Sequence, residues 1–513
     1  MTKGKSVLIV GAGHNGLICG TYLARAGHKV TMLEARDTVG GGIAMRQFSD
    51  GFSVPALAQM HHPLHAKIVS ELKLASPSPT PAPMETISLS PTGAHVTLGA
   101  EQVSGRELNE KDRAAYSEFM KEYASYAKAL GALYLNTPPR LKDFDLADAR
   151  TLTKLGLKLR FGLGRKDMRE FLRVGGMNIY DILNEVFNSE PLKGALAVQA
   201  VLGNHVGPRT PTTALNYLYS RHQELNGAPV LVSGTAGSLE TAAAAAGVDI
   251  KTNAAVKKIK VENGRATGVE LASGEHIKAD LVVSNADAKT TFLDLVGASE
   301  LDAMFVHRIS KTRTYGDVSK IHIALKAPPV FAGLETADLR HRLLIAPSMR
   351  YVERAFNPSK YGEYSEDPVL DISIPSMNDP SLAPQGHHVM CINVSYTPYR
   401  LKAGWEQNRD ALYQTVIDTL SAYAPGIADR IEDHEILTPV DIEREYGVTG
   451  GHWHHGEMSI DQGFMMRPVH GTAQYQTPVE GLFLCGAAAH PGGGITGLPG
   501  RNAARRILAK GGV

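Results

Sequence analysis

Cysteine is scarce: Cys19, Cys391 and Cys485 are the only three in 513 residues, far apart and never in a CxxC pair. That count argues against a disulfide framework or a thiolate zinc site and suits a reducing compartment, so a cytoplasmic location is expected. An excess of either charge is also missing. The 53 Lys and Arg stand against 52 Asp and Glu, a net charge of +1, so no global field favours nucleic acid, and no nucleic-acid partner is expected. No apolar run is long enough to cross a bilayer. The short run "VLIVGAG" after Lys3 and Lys5 is soon followed by His14 and Asn15, which suits a buried strand better than a signal peptide. GxSxG and HExxH motifs are lacking, so neither an activated nucleophile nor a metalloprotease site is expected. The clusters His61, His62, His65 and His452, His454, His455 have no carboxylate or thiolate at ligand spacing, and no metal site is expected.

What is present begins with length and composition. At 513 residues, 43% apolar and 20% charged, the chain should form two or three globular domains, or one domain interrupted by another. Its start, "SVLIVGAGHNGLICGTYLARAGHKVTMLEAR", reads as strand, tight turn, helix, strand. Gly11, Gly13 and Gly16 complete GxGxxG, and Glu34 closes the second strand. Gly11 permits the turn, Gly13 lets backbone approach a pyrophosphate, and Gly16 allows helix–strand packing. The helix N-terminus offers free N–H groups to phosphates. Glu34 can accept from ribose hydroxyls and would repel a 2′-phosphate.

The next segment, "EARDTVGGGIAMRQF", places Arg36 and then Gly40, Gly41 and Gly42 behind the acid. It resembles the RxxxGG extension of FAD-dependent oxidoreductases of the amine oxidase and phytoene desaturase type. In those families the arginine and glycines line the pyrophosphate and the path to the flavin. The glycine pair aligns as Gly40–Gly41 or as Gly41–Gly42, and either way the arginine that often follows the pair is missing. Further on, 249–284 alternates apolar and polar residues with turns at Asn263-Gly264 and Ser273-Gly274, a strand meander. The resemblance implies that Val256 contacts adenine through its backbone.

Near the end, "DIEREYGVTGGHWHHGEMSIDQGFMMRP" and "YQTPVEGLFLCGAAAHPGGGITGLPGRNAAR" are similar to the phytoene desaturase-related flavoproteins. The subgroup is that of the pyridine nucleotide-disulfide oxidoreductase domain-containing protein 2 type and the desaturase-type carotenoid ketolases. Such a strand, Gly-rich loop and helix return to the nucleotide domain and meet the flavin. Ala487 stands where many such enzymes have an Asp. The resemblance implies an α/β fold: a discontinuous, Rossmann-like FAD domain of the two-dinucleotide-binding type with an inserted α+β substrate domain. The FAD domain is expected at 1–75, 226–297 and 441–513, and the substrate domain at 76–225, mostly helical after a Pro-rich loop, and 298–440. FAD contacts are expected from Gly11, Ala12, Gly13, His14, Asn15, Gly16, Glu34, Ala35, Arg36, Gly41, Gly42, Val256, Gly486, Ala487, Gly494, Ile495 and Thr496.

The chemistry so implied is hydride removal from a carbon of a hydrophobic substrate, isoprenoid- or lipid-like, with oxygen, a quinone or another acceptor taking the electrons. Candidate catalytic residues are His490, His452, His454 and Tyr446, with Glu457, His61 and His62 as further contacts and Asn502 and Arg467 holding loop geometry. An amine oxidase-like reaction on a smaller substrate is the alternative; it calls for an aromatic cage, and the chain has only Trp405 and Trp453. A non-enzymatic prenyl- or lipid-binding protein, as in the Rab GDP dissociation inhibitors, is the third reading, against which the complete phosphate loop speaks. The basic apolar stretch 152–174 suits an ordinary amphipathic helical hairpin with a solvated face; peripheral membrane contact is the alternative. A homodimer through the insertion is left open.

Overall fold

The computed structural model describes residues 4–75, 82–140 and 145–509. Most of the Pro-rich loop, 76–81, lies outside the described residues. A five-stranded sheet gathers Asp249–Lys251, Lys29–Leu33, Ser6–Val10, Leu281–Ser284 and Leu482–Leu484, side by side in that order and all parallel. The three strands Ser6–Val10, Leu281–Ser284 and Leu482–Leu484 are nearly unbroken apolar runs and are buried, as strands covered on both faces must be. Their register levels the C-terminal ends: Val10 lies beside Leu33 and Ser284, and Ser284 beside Leu484. Gly11, Glu34, Asn285 and Cys485 therefore emerge together along one edge, where ligands of open α/β sheets bind.

The helix His14–Arg25 packs on this sheet and meets both Leu498–Ala509 and Thr235–Ala245. A methyl group at Gly16 would lie 2.5 Å from the Gly11 carbonyl oxygen, so only glycine allows this approach. A separate antiparallel meander runs Val256–Glu262, Arg265–Leu271 and His276–Lys278. Asn263 and Gly264 turn it with φ of 51° and 76°, the left-handed pair that a two-residue hairpin needs.

The second large element is an eight-stranded sheet: Ile431–Leu437, Val318–Leu325, His388–Ser395, Leu370–Ser373, Arg342–Ile345, Thr86–Ser88, Val96–Leu98 and Val103–Gly105. The last three strands precede the helices of 76–225, a segment that is otherwise mostly helical as expected. Each has only three residues, too few for an alternating pattern to register. Helices begin at Glu110–Tyr134, which buries Tyr116, Phe119, Tyr123 and Tyr126. One face of the large sheet packs Ile321, Ile323, Ile372 and Ile392 against Leu412, Val416 and Leu420 of the helix Arg409–Ser421. The hairpin Met45–Ser49/Phe52–Pro55 sets Phe52 and Val54 against Ala324, Val389 and Cys391 on the opposite face.

Candidate functional site

A cavity of about 790 Å³ runs from the edge of the parallel sheet to the face of the eight-stranded sheet. At the first end the chain is compressed around small residues. Gly11 turns with φ of 91°, and Gly13 caps the helix His14–Arg25 with no side chain bonded to its N–H groups, which leaves a positive helix end open to an anion. The Gly40 N–H donates to the Ala12 carbonyl at 2.9 Å, and a methyl group on Gly41 would sit 3.2 Å from Gly13 Cα. Of Gly40, Gly41 and Gly42, the latter two line the cavity.

Glu34 is buried on the wall. Its Oε2 accepts the Ala12 N–H at 2.7 Å and its Oε1 the Arg36 N–H at 3.0 Å. Two backbone donors thus fix the carboxylate while its remaining lone pairs stay available. The Arg36 guanidinium lies 4.6 Å from the Tyr446 ring centre. Ala35 and Val256 complete this end, and His14, Asn15, Ala487, Gly494 and Ile495 line the way inward. Four expected contacts are not wall residues. Ala12 spends its N–H on Glu34, and Gly16 packs behind the turn. Gly486 is pressed against the Asn285 carbonyl, 2.4 Å from where a Cβ would stand, and Thr496 Oγ1 accepts the Leu498 N–H.

The C-terminal loop is held from behind by Arg467, which is buried without a carboxylate partner. Its Nε and Nη2 donate to the Ala487 carbonyl at 3.0 and 2.9 Å, Nη1 to that of Glu457 at 3.0 Å, and Nη2 to that of His454 at 2.6 Å. Burial pushes its pKa down to about 10. Asn502 donates to the Tyr134 carbonyl at 2.8 Å.

The geometry separates the four catalytic candidates. His490 does not face the cavity: its Nε2 lies 3.0 Å from the Leu133 carbonyl oxygen, and burial lowers its pKa to about 4. The helix Glu110–Tyr134 passes behind the loop and draws the ring there. His452 is likewise buried off the wall, its Nδ1 accepting the His454 N–H at 3.3 Å. Tyr446 is on the wall, but at the Glu34 end beside Arg36, with Arg46 donating to its hydroxyl at 3.2 Å. His454 does line the cavity, and burial pushes its pKa down to about 3. His61 lines it too, with Nε2 3.1 Å from Thr235 Oγ1 and a pKa lowered by burial to about 4. His62, also on the wall, contacts the Gly227 carbonyl. The Glu457 carboxylate pairs with Arg313, away from the wall.

The far wall holds what the sequence did not single out. Lys320, Asn393 and Asp371 are register partners on three adjacent strands, so their side chains form one row across the sheet. Lys320 is fully buried; its Nζ donates to Gln59 Oε1 at 2.8 Å and Asn393 Oδ1 at 3.1 Å. Burial pushes its pKa down to about 8. Arg342 Nε donates to Asp371 Oδ1 at 2.7 Å. Gln59, Asn393, Asp371 and Arg342 line the cavity, with Lys320 one layer behind. The rest of the wall includes Met84, Leu98, Tyr116, Met120, Leu202 and Leu225, together with polar Gln199, Asn216, Arg221 and Gln223. Asn285, directly after the strand Leu281–Ser284, was missed as well; its place at a parallel strand's C-terminal end is the signal that could have found it.

Seven buried polar atoms on wall residues have no partner among the described residues: His14 Nε2, Asn15 Oδ1, Arg36 Nη1, Gln199 Oε1, Arg221 Nε, Trp453 Nε1 and His455 Nδ1. Each such group costs roughly 1–3 kcal/mol when left unsatisfied. Those of His14, Asn15 and Arg36, beside the open helix end and Glu34, fit a dinucleotide that brings both donors and acceptors. Among the described residues no cluster of His, Cys, Asp and Glu is arranged to hold a metal ion.

Known proteins agree with this geometry. The model of the family "Flavin containing amine oxidoreductase" matches residues 16–508. Pyridine nucleotide-disulfide oxidoreductase domain-containing protein 2 of Rattus norvegicus is 34% identical over 541 residues, covering 98% of this chain and 93% of the relative. The neurosporene-forming phytoene desaturase of Cereibacter sphaeroides is 26% identical, covering 98% of this chain and 93% of its own. The crystal structure of an oxidoreductase from Methanosarcina mazei superposes with a TM-score of 0.60 at 16% identity, over 98% of this chain and 100% of that one. The shared architecture is the α/β flavoprotein fold, a Rossmann-like FAD domain with an inserted substrate domain. The chain belongs to the flavin-containing amine oxidoreductases and, like the desaturase-type members it resembles, is an FAD-dependent oxidoreductase.

Proposed function

We propose that the chain removes hydride from a carbon of a hydrophobic, isoprenoid- or lipid-like substrate and passes the electrons to oxygen, a quinone or another acceptor. The observation that carries this reading is the largely apolar lining of the cavity, continuous with the wall of the glycine loops. Bound FAD supplies the hydride acceptor. Gly13, the helix end behind it and Glu34 would hold the nucleotide half, and Gly494 and Ile495 the half towards the large sheet. Met84, Leu98, Tyr116 and Met120 would take apolar substrate out of water and present it in one orientation.

The polar row positions what meets it. Lys320 binds the oxygens of Gln59 and Asn393, so the Gln59 amide nitrogen is left for the Asp371 carbonyl at 3.1 Å and that of Asn393 for Asp371 Oδ2 at 3.2 Å. Each amide therefore has one fixed orientation. His61 and His454, with pKa values lowered by burial to about 4 and about 3, are neutral at pH 7 and offer hydrogen-bonding groups rather than charge to what occupies the cavity. Of the two tryptophans only Trp453 lines the cavity, since Trp405 is buried on the other face of the large sheet with its Nε1 donating to the Pro398 carbonyl; an aromatic cage for a small amine would have to be built from Trp453 with Tyr116, Tyr219 or Tyr446.

Anaerobic titration of the FAD-loaded protein tests the proposal. Polyenes, long-chain alkenes and alcohols should bleach the flavin absorbance, with desaturated or oxidised products found by mass spectrometry. Bleaching by small amines alone would overturn it.

A further inference from the structure

Thirteen large apolar side chains are exposed among the described residues, and five of them fall between 146 and 172: Leu146, Leu152, Leu157, Phe161 and Leu172. This stretch is the helix Leu146–Leu157, a π-helical turn Lys158–Gly162 and the helix Gly164–Gly176. Its two ends are tied down. Asp148 accepts from Arg140 Nε at 2.9 Å, and the Phe171 ring packs 5.7 Å from that of Tyr126. The elbow between them rests on the core through Leu163 but presents Leu157 51% and Phe161 74% exposed. Gly164, with φ of 79°, makes the bend.

Charge surrounds these apolar residues asymmetrically. Arg150, Lys154, Arg160, Arg165, Lys166 and Arg169 are exposed and form no ion pair among the described residues. Arg173 is already neutralised by Glu170 and Glu185, which leaves Asp167 as the one exposed acid without a cation among the described residues of 146–173. A chain with net charge +1 thus gathers unpaired cations around the exposed Phe161 ring. Interfaces between protein copies are depleted in lysine, whereas the headgroup region of an anionic bilayer takes apolar tips and cations together.

We infer that the elbow 154–169 is a docking surface for an anionic lipid bilayer. Leu157 and Phe161 enter at headgroup depth while Arg160, Arg165 and Lys166 meet lipid phosphates. Attachment is peripheral, because no described helix is long and apolar enough to cross a membrane.

Flotation of the full, FAD-loaded chain with phosphatidylcholine vesicles, with and without phosphatidylserine, tests this. The protein should float with the anionic vesicles and not with the neutral ones, and strong salt should release it. Arg160→Glu/Arg165→Glu/Lys166→Glu and Leu157→Ser/Phe161→Ser should each weaken flotation by at least about tenfold, with flavin content and melting temperature unchanged. No flotation, equal flotation with neutral vesicles, or variants that float like the parent would overturn the inference. So would light scattering that finds the parent dimeric and the elbow variants monomeric, since the patch would then join two copies.

Discussion

Replacing Glu34 by alanine isolates the contact that defines the nucleotide end. A carboxylate offers about four lone-pair positions, and two of them hold the Ala12 and Arg36 N–H groups at 2.7 and 3.0 Å. The other two face the cavity and are free for ribose hydroxyls. A hydrogen bond to a charged group contributes roughly 1.5–3 kcal/mol. Losing one should weaken FAD binding by roughly 12- to 150-fold, at about 1.4 kcal/mol per factor of ten. Fluorescence titration of the apoprotein measures this directly. FMN provides the control, because it lacks the adenosine whose ribose Glu34 would read; its affinity should not move. The reasoning fails if FAD affinity stays within about twofold of the parent. It fails in another way if FMN binding drops equally, for then the substitution has collapsed the wall instead of removing one contact.

Four further outcomes are expected. Arg467→Met should lower stability by roughly 3–5 kcal/mol and release FAD, because it leaves the Ala487, Glu457 and His454 carbonyls without their donor; urea unfolding with flavin fluorescence reads both. His222, His322 and His490 have pKa values lowered by burial to about 4, so the unfolded chain binds protons first on acidification. Stability should hold above about pH 6.5 and be lost between there and about pH 4, by on the order of 3 kcal/mol for each imidazole. His490→Gln should keep the pH profile of turnover and cost about 1 kcal/mol of stability, since the ring bonds a backbone carbonyl away from the cavity; a lost limb of the profile would restore it to catalysis. Gly493→Ala should displace His454, whose Nδ1 lies 2.2 Å from where the new Cβ would stand, and lower turnover while retaining FAD, read by steady-state rates against flavin content.

How far the sequence carried depended on whether a feature is closed within a short stretch of chain. The first loop is such a feature. Strand, Gly11, helix and Glu34 follow one another, and the structure needs only local hydrogen bonds to assemble them. The direction of a loop side chain is different. "CGAAAHPGGG" looks the same whether His490 turns towards the cavity or behind it, and the choice is made by a carbonyl at Leu133, 357 positions earlier. The expected catalytic histidine failed there for want of a distant partner, not of a motif.

The strand "VSKIHIAL" exposes the same limit in another form. Alternation of polar and apolar residues normally marks a strand with one wet face, and on that basis Lys320 and His322 belong in solvent. Every residue of Val318–Leu325 is buried. Ile321 and Ile323 meet the helix Arg409–Ser421, while the polar face is roofed by segments from the other end of the chain: Phe48 lies 5.7 Å from the His322 ring, and Gln59 bonds Lys320. A buried lysine with only amides as direct acceptors costs stability. Tertiary structure retains it by supplying Gln59, Asn393 and, through them, Asp371. Such a group is invisible to periodicity because its polar character satisfies the pattern for the wrong reason. The cavity's nucleotide end was therefore readable from one stretch of chain, whereas its substrate end exists only once the hairpin, the loop around Gln59 and three strands of the large sheet have been brought together.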